Sequence, residues 1–262
     1  MQLEPIQKLG KDIKEAAKTL SISEVRFLVD NYYQIQEYRK GAFNQERSLI
    51  ADNEPHEIIT WYAKESERLE KEIRKALDVY SNSQPIGIWS REICGIGPVI
   101  AAGLLGHIDI TKCPTVGHIW SFAGLDPTKE WKKGEKRPFN ASLKTLCWKI
   151  GESFVKVSSN KNDIYGQYYI KRKEQEIAKN ENLEFKDQAE AKLKKFNIGK
   201  KTDAYKNYSK GKLPPAHIHA RAKRYAVKLF LSHWHEQAYR HHFNEAPPLP
   251  YPIAILNHAH KI

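Results

Sequence analysis

The run from Arg91 to Pro127, REICGIGPVIAAGLLGHIDITKCPTVGHIWSFAGLDP, constrains this chain more than any other segment. Two short apolar patterns of helical spacing flank Gly95-Ile96-Gly97, and Pro98 stands where the second begins. Glycine accepts positive φ and lets another backbone approach closely, and proline suits the first helical position. The segment reads as a helix-hairpin-helix over residues 88–106. Exposed amides in such a turn, with a helix N-terminus behind them, can hold a phosphate oxygen. Gly95, Ile96 and Gly97 are therefore candidate nucleic-acid contacts; because Val99, Ile100 and Ala101 follow, where DNA-gripping hairpins often place a Lys or Thr, the turn reads equally as a compact corner joining two helices.

The residues before Ser90 are also helical in pattern, and no alternating or β-branched run suggests a strand. Ile13, Ala16, Ala17 and Leu20 have helical spacing, and Val25, Leu28, Val29, Tyr32, Tyr33 and Ile35 continue it. A third helix is expected from near Pro55, with Asn53 as its cap. Along it Ile59, Tyr62, Ser66, Leu69, Ile73, Ala76 and Tyr80 recur at alternating steps of three and four, an a/d seam flanked by Glu and Lys. This helix, 55–80, can pair two chains as a homodimeric coiled coil or pack on the two helices before it. SNSQP, Ser81 to Pro85, breaks the pattern and suggests a boundary between a helical region, 1–82, and a basic domain, 86–262. The expected fold class is mainly α: an N-terminal helical, coiled-coil-like region, then a helical domain containing the helix-hairpin-helix.

Charge separates these regions further. The chain carries +12 overall, yet residues 1–90 hold 13 Lys and Arg against 15 Asp and Glu. From Arg91 onward the balance is 30 against 16. A basic surface attracts nucleic acid, acidic proteins or anionic lipid. Three stretches concentrate it. DPTKEWKKGEKRPFN places Lys129, Lys132, Lys133, Lys136 and Arg137 around Trp131, a composition used on nucleic-acid backbones and unpaired bases. Lys144 follows at the start of a helix whose Leu146, Ile150 and Phe154 have core spacing. Between Asn162 and Lys212, two helices and a lysine-rich connection are expected. Lys192 to Lys212 holds eight lysines and one acid, with Tyr205 and Tyr208 interleaved, and Lys200 and Lys201 are candidate contacts. A long helix, roughly Ala216 to His242, offers Ile218, Ala222, Tyr225, Leu229, Leu231 and Trp234 for burial. Arg221, Lys223, Arg224 and Lys228 lie mostly off that face, so Arg221 and Arg224 join the candidates. The closing PPLPYPIAILNHAHKI suits wrapping a surface better than forming an element.

Several function classes are excluded at this level. No apolar run approaches the ~20 residues of a membrane span, and the first residues lack the apolar core of a signal peptide. Cys94, Cys113 and Cys147 are scattered and odd in number, which fits reduced thiols in a cytoplasm. Eight of the eleven histidines follow Pro215, six of them in the pairs His217/His219, His233/His235 and His258/His260. His217-Ile218-His219 formally matches the His-hydrophobe-His of rolling-circle nucleases, where two histidines hold a metal and a tyrosine attacks phosphate. Tyr225 or Tyr239 could serve as that nucleophile. Such pairs project from one face of a strand, whereas on a helix residues two apart diverge by about 200°. Surface or capping histidines are expected instead, or a structural metal joining the tail to the long helix. No catalytic residue, metal site or cofactor is assigned.

The same residues carry a family resemblance. CGIGPVIAAGLLGHIDITKCPTVGHIWSFAGLDP resembles the C-terminal domain of the insertion-sequence transposases of the IS-one-ten class, also named for IS-one-sixteen and IS-nine-oh-two. Gly95 to Pro98, Ala101, Ala102, Leu104, Leu105, Asp109, Ile110, Ala123, Gly124, Leu125 and Pro127 fit that pattern. Asn140, Leu143 and Lys144 meet part of the family's G-N-x-x-L-R. The resemblance implies phosphodiester chemistry shared between a RuvC-like domain holding Mg²⁺ with four carboxylates and a serine between the two motifs. This chain has no serine between Pro127 and Asn140, shows Lys133-Gly134 where the family often has Ser-Gly, and begins with an acidic helical region. The function expected is nucleic-acid binding without cleavage, in a mobile element or phage. DNA is the expected partner and structured RNA, which the resembled enzymes hold, is a second. A partner-dependent transposase subunit or histidine nuclease, and a dimeric protein scaffold, are the alternatives.

Overall fold

Capping chemistry divides the N-terminal region where the apolar pattern leaves it continuous. The computed structural model describes residues 7–249, among which there are eleven α-helices and no strand. The first, α1 (Lys11–Ala16), runs into a single 3-10 turn over Ala17–Thr19 and stops. Ser21 opens α2 (Ile22–Ala51) through a reciprocal capping box: its hydroxyl accepts from the Glu24 amide at 3.3 Å, and Glu24 accepts from the Ser21 amide at 2.8 Å. Two otherwise unpaired donors are satisfied at once. Asn53, expected to cap the next helix, ends this one instead. Its φ of 57° is the left-handed turn that Asn tolerates better than most residues. His56 is the cap of α3 (Glu57–Ser83), its Nδ1 accepting from the Ile58 amide at 3.2 Å.

The short connection returns α3 along α2, and the two pack together. The lower half of the a/d seam closes within the chain. Tyr80 and the partly buried Ile73 of the seam, with Leu77 beside them, join Val25, Val29 and Tyr32 of α2 in one apolar cluster. At the upper end Tyr62 stays exposed and Ile59 half-buried. Packing on a preceding helix, one of the two uses open to this seam, is thus realised over its lower half.

Beyond Ser83 the chain forms α4 (Pro85–Glu92) and α5 (Pro98–His107), the two arms of the hairpin. Gly87 is essential to the joint: a Cβ there would lie 2.0 Å from the Ser81 carbonyl oxygen. Helix α5 is apolar on every side and is buried along nearly its whole length. A helix of that kind belongs in a core. Its Val99 and Ala102 enter the α2–α3 cluster.

Six further helices follow: α6 (Val116–Phe122), α7 (Ala141–Val157), α8 (Ile164–Glu181), α9 (Lys186–Lys195), α10 (Asp203–Tyr208) and α11 (Pro215–Phe243). Phe154, Tyr165 and Phe230 from α7, α8 and α11 form an aromatic centre with ring centroids 5.0–5.6 Å apart. Phe230 and Val227 belong to the buried stripe of α11, where Leu229 and Tyr225 are only half-buried. A satellite core of Phe185, Ala189, Tyr208, Leu213 and Ile218 sits under the lysine-rich segment. The buried Asn180 side chain pins that segment, bonding both the amide and the carbonyl of Leu213 at 2.7 and 2.9 Å. The region expected to be a plain connection therefore carries a third short helix, α10.

The chain divides into two compact units. The first comprises the residues up to Pro114 together with Gln237–Ala246, the second Thr115–Glu236 with the residues from Pro247. The break at Ser81–Pro85 ends a helix without ending a packing unit, because α5 is needed to complete the α2–α3 core. This division follows Pro114, whereas the sequence suggests a boundary at Ser81 to Pro85. No helix among the described residues is long and apolar enough to cross a membrane.

Candidate nucleic-acid interface

The Gly95-Ile96-Gly97 turn has the expected local form. Gly95 takes φ 87°, the Ile96 amide donates to the Ile93 carbonyl at 3.0 Å, and Gly97 leads into α5 from an extended conformation. Its setting differs from an open phosphate cradle. Ile96 is 4% exposed and Gly95 and Gly97 are half-buried, because the turn serves an apolar helix that must be enclosed. In the first unit the hairpin is chiefly a corner between packed helices.

The second unit carries the charge. It holds 27 Lys and Arg against 13 Asp and Glu, and the first unit holds 16 against 18. Between α6 and α7 the chain makes two turns. Asp126 accepts from the Thr128 amide and hydroxyl at 2.9 and 2.7 Å, bonds that hold its carboxyl below the usual range. Around Gly134, at φ 94°, the Trp131 indole donates to the Glu135 carbonyl at 2.7 Å and the Lys132 amide donates to the Glu135 carboxylate at 3.3 Å. The Arg137 guanidinium lies 5.3 Å from the Trp131 ring centre. Lys132, Lys133, Lys136 and Arg137 are all exposed. The loop is thus a closed turn that directs four cations into solvent.

The loop is anchored at both ends. Lys129 bonds the Ser121 hydroxyl on α6. At the other end the Asn140 amide donates to the Phe122 carbonyl at 2.8 Å, and its side chain caps α7 through the Leu143 amide at 2.8 Å. Gly124, at φ 64°, leaves room for Phe139 and Lys144, whose Nζ sits 4.0 Å over the Phe139 ring. The two motif groups, Ala123 to Leu125 and Asn140 to Lys144, therefore meet at the base of the loop.

Basic segments distant in sequence converge on it. Lys195 at the end of α9 bonds Glu130 at 2.8 Å and holds that carboxyl below its ordinary range; Lys132 and Lys192 add to the effect. On α11 the Lys228 ammonium lies 4.0 Å over the Trp120 ring, and the Trp120 indole donates to the Lys228 carbonyl at 3.2 Å. Burial lowers the Lys228 pKa, an effect Asp126 opposes and Arg224 reinforces. Loop, α9 and α11 thus contribute to one field of cations. Lys192, Lys195 and Lys228 are not among the sequence-based candidates, since no spacing rule links residues so far apart. Lys200 and Lys201 are exposed on the turn between α9 and α10.

Arg221 departs from its expected place. It chelates the buried carboxylate of Glu176, whose second partner Arg172 lies at 2.5 Å, and stacks 4.5 Å over Phe185. A half-buried cation bound to a buried counterion is committed to the fold. Arg224, three residues further on, is exposed.

The histidine pairs split between separate tyrosines. His217 meets Tyr208 at 3.3 Å, His219 meets Tyr169 at 2.8 Å and His233 meets Tyr165 at 2.7 Å, each through Nδ1 and a phenol oxygen. Burial lowers the pKa of all three, with neighbouring cations adding to it at His217 and His219. Among the described residues no three His, Cys, Asp or Glu side chains form a group able to hold a metal ion. His258 and His260 lie outside the described residues. No family model, curated protein or solved structure matches this chain.

Proposed function

We propose that this chain is a nucleic-acid-binding protein of a mobile element or phage, related to the C-terminal domain of the IS-one-ten-class transposases, and that its second unit supplies the binding surface. The convergence of the 129–137 loop with Lys192 and Lys195 of α9 and Arg224 and Lys228 of α11 carries the reading. Affinity comes largely from neutralised phosphates and so falls steeply with salt. The family's serine position has no counterpart between Pro127 and Asn140, so the reading assigns binding without strand scission.

A salt series of binding isotherms against duplex DNA, single-stranded DNA and structured RNA, with and without Mg²⁺ or Mn²⁺, tests it. Salt-steep binding with the strands left intact is expected. Absence of binding near physiological salt would reject the assignment, and metal-dependent nicking would reject the non-cleaving part of it.

A further inference from the structure

Three aromatic rings stand exposed around the basic loop: Phe122 at 42%, Trp131 at 41% and Phe196 at 48%. Isolated exposed apolar side chains are ordinary on protein surfaces. Each of these three residues is tied to the same loop through its own bond or that of its neighbour. Phe122 holds one end of the loop through its carbonyl, Trp131 closes the turn in its middle, and Phe196 directly follows the Lys195 that bonds Glu130. Cations accompany the rings, Arg137 at Trp131 and the Lys192 ammonium 4.9 Å over Phe196. The Trp131 indole is also fixed by its edge to the Glu135 carbonyl, so its plane is ordered before any ligand arrives.

Resting on the assignment above, we infer that this surface takes unpaired nucleic acid, with bases stacked on Phe122, Trp131 and Phe196 and phosphates on the loop lysines. A duplex offers phosphates and base edges but keeps its base faces stacked inside, so exposed rings gain nothing from it. Unpaired bases present those faces, and aromatic rings interleaved with cations are the arrangement that exploits them. Single-stranded DNA and an unpaired stretch of RNA share this chemistry.

The test compares oligothymidylate and oligouridylate of about fifteen nucleotides with a duplex and with an abasic oligomer of the same length. The intact protein and the Trp131→Ala, Trp131→Phe, Phe122→Ala and Phe196→Ala variants are used, each checked by thermal melting. Single strands are expected to bind at least about tenfold tighter than duplex or abasic oligomer, and Trp131→Ala to lose roughly five- to a hundredfold on single strands. Because Trp131 also closes the turn that presents the lysines, selectivity is read as the ratio of single-strand to duplex affinity, which Trp131→Ala should lower, with Trp131→Phe intermediate. The ratio of thymidylate to uridylate affinity separates the DNA and RNA sources. Equal binding of duplex and single strand, or aromatic variants that weaken all ligands alike, would overturn the inference while sparing the charge-based assignment. If no nucleic acid binds, both fall.

Discussion

Glu176 is 1% exposed and lies between Arg172 and Arg221. Burial pushes its carboxyl upward, but the two guanidinium groups outweigh that and its pKa falls below the ordinary 4.5. Removing one member of such a group strands a buried charge, so Glu176→Gln should cost about 3 kcal/mol or more in urea unfolding. The histidines act at a higher pH. His217, His219 and His233 have pKa values lowered from 6.5, so protons favour the unfolded chain once pH drops below about that value. Their stabilising contribution is present above pH 6.5 and drains away below it. The Glu176 contribution is present above about 4.5 and is lost as pH falls through its lowered value. Stability measured from pH 7.5 to 3.5 should therefore decline in two stages. His219→Gln with His233→Gln should flatten the first stage, and Glu176→Gln the second.

Among the elements, α3 shows how one periodic seam can meet two environments. Ile73 packs against the α2–α5 core, so Ile73→Asp should cost about 3 kcal/mol by burying a charge without a partner. Tyr62 occupies the same seam but is 45% exposed, and Tyr62→Asp should stay within about 0.5 kcal/mol. Equal losses in circular-dichroism melts would mean that the upper seam is covered in solution, as a homodimer would cover it. The α4 joint is tighter. Gly87→Ala forces a Cβ against the Ser81 carbonyl and should destabilise the first unit by about 2 kcal/mol, read as a lower urea midpoint.

The whole molecule separates a near-neutral helical unit from a strongly basic one, and the consequence for binding is asymmetric. Reversing Lys132, Lys133, Lys136 and Arg137 should weaken nucleic-acid binding far more than reversing Lys11, Lys14 and Lys18 in the first unit. Each phosphate that is no longer neutralised should also reduce the slope of log affinity against log salt by about 0.7 for single strands or 0.9 for duplex. Comparable effects from the two sets would remove the second unit from the interface. Arg221→Ala should act differently from the loop variants, lowering stability first, because Glu176 would lose a counterion.

Local sequence was enough for the helical class, the glycine turn at Gly95, the α7 and α11 segments and the basic asymmetry. Each follows from short-range rules: apolar spacing at 3.6 residues, φ preferences and charge counting. It was not enough where partners lie far away in the chain. Asn53 reads from the sequence as the start of the next helix, yet it ends α2 in a left-handed turn and the cap of α3 is His56. Arg221 and Arg224 look alike on a helical wheel, yet only one has Glu176 beside it. The basic loop was legible as composition, but its joining to α9 through Glu130 and Lys195 spans 65 residues. Tertiary packing alone decides which cations are consumed by the fold and which remain for a ligand, because a counterion acts through distance in space rather than along the chain.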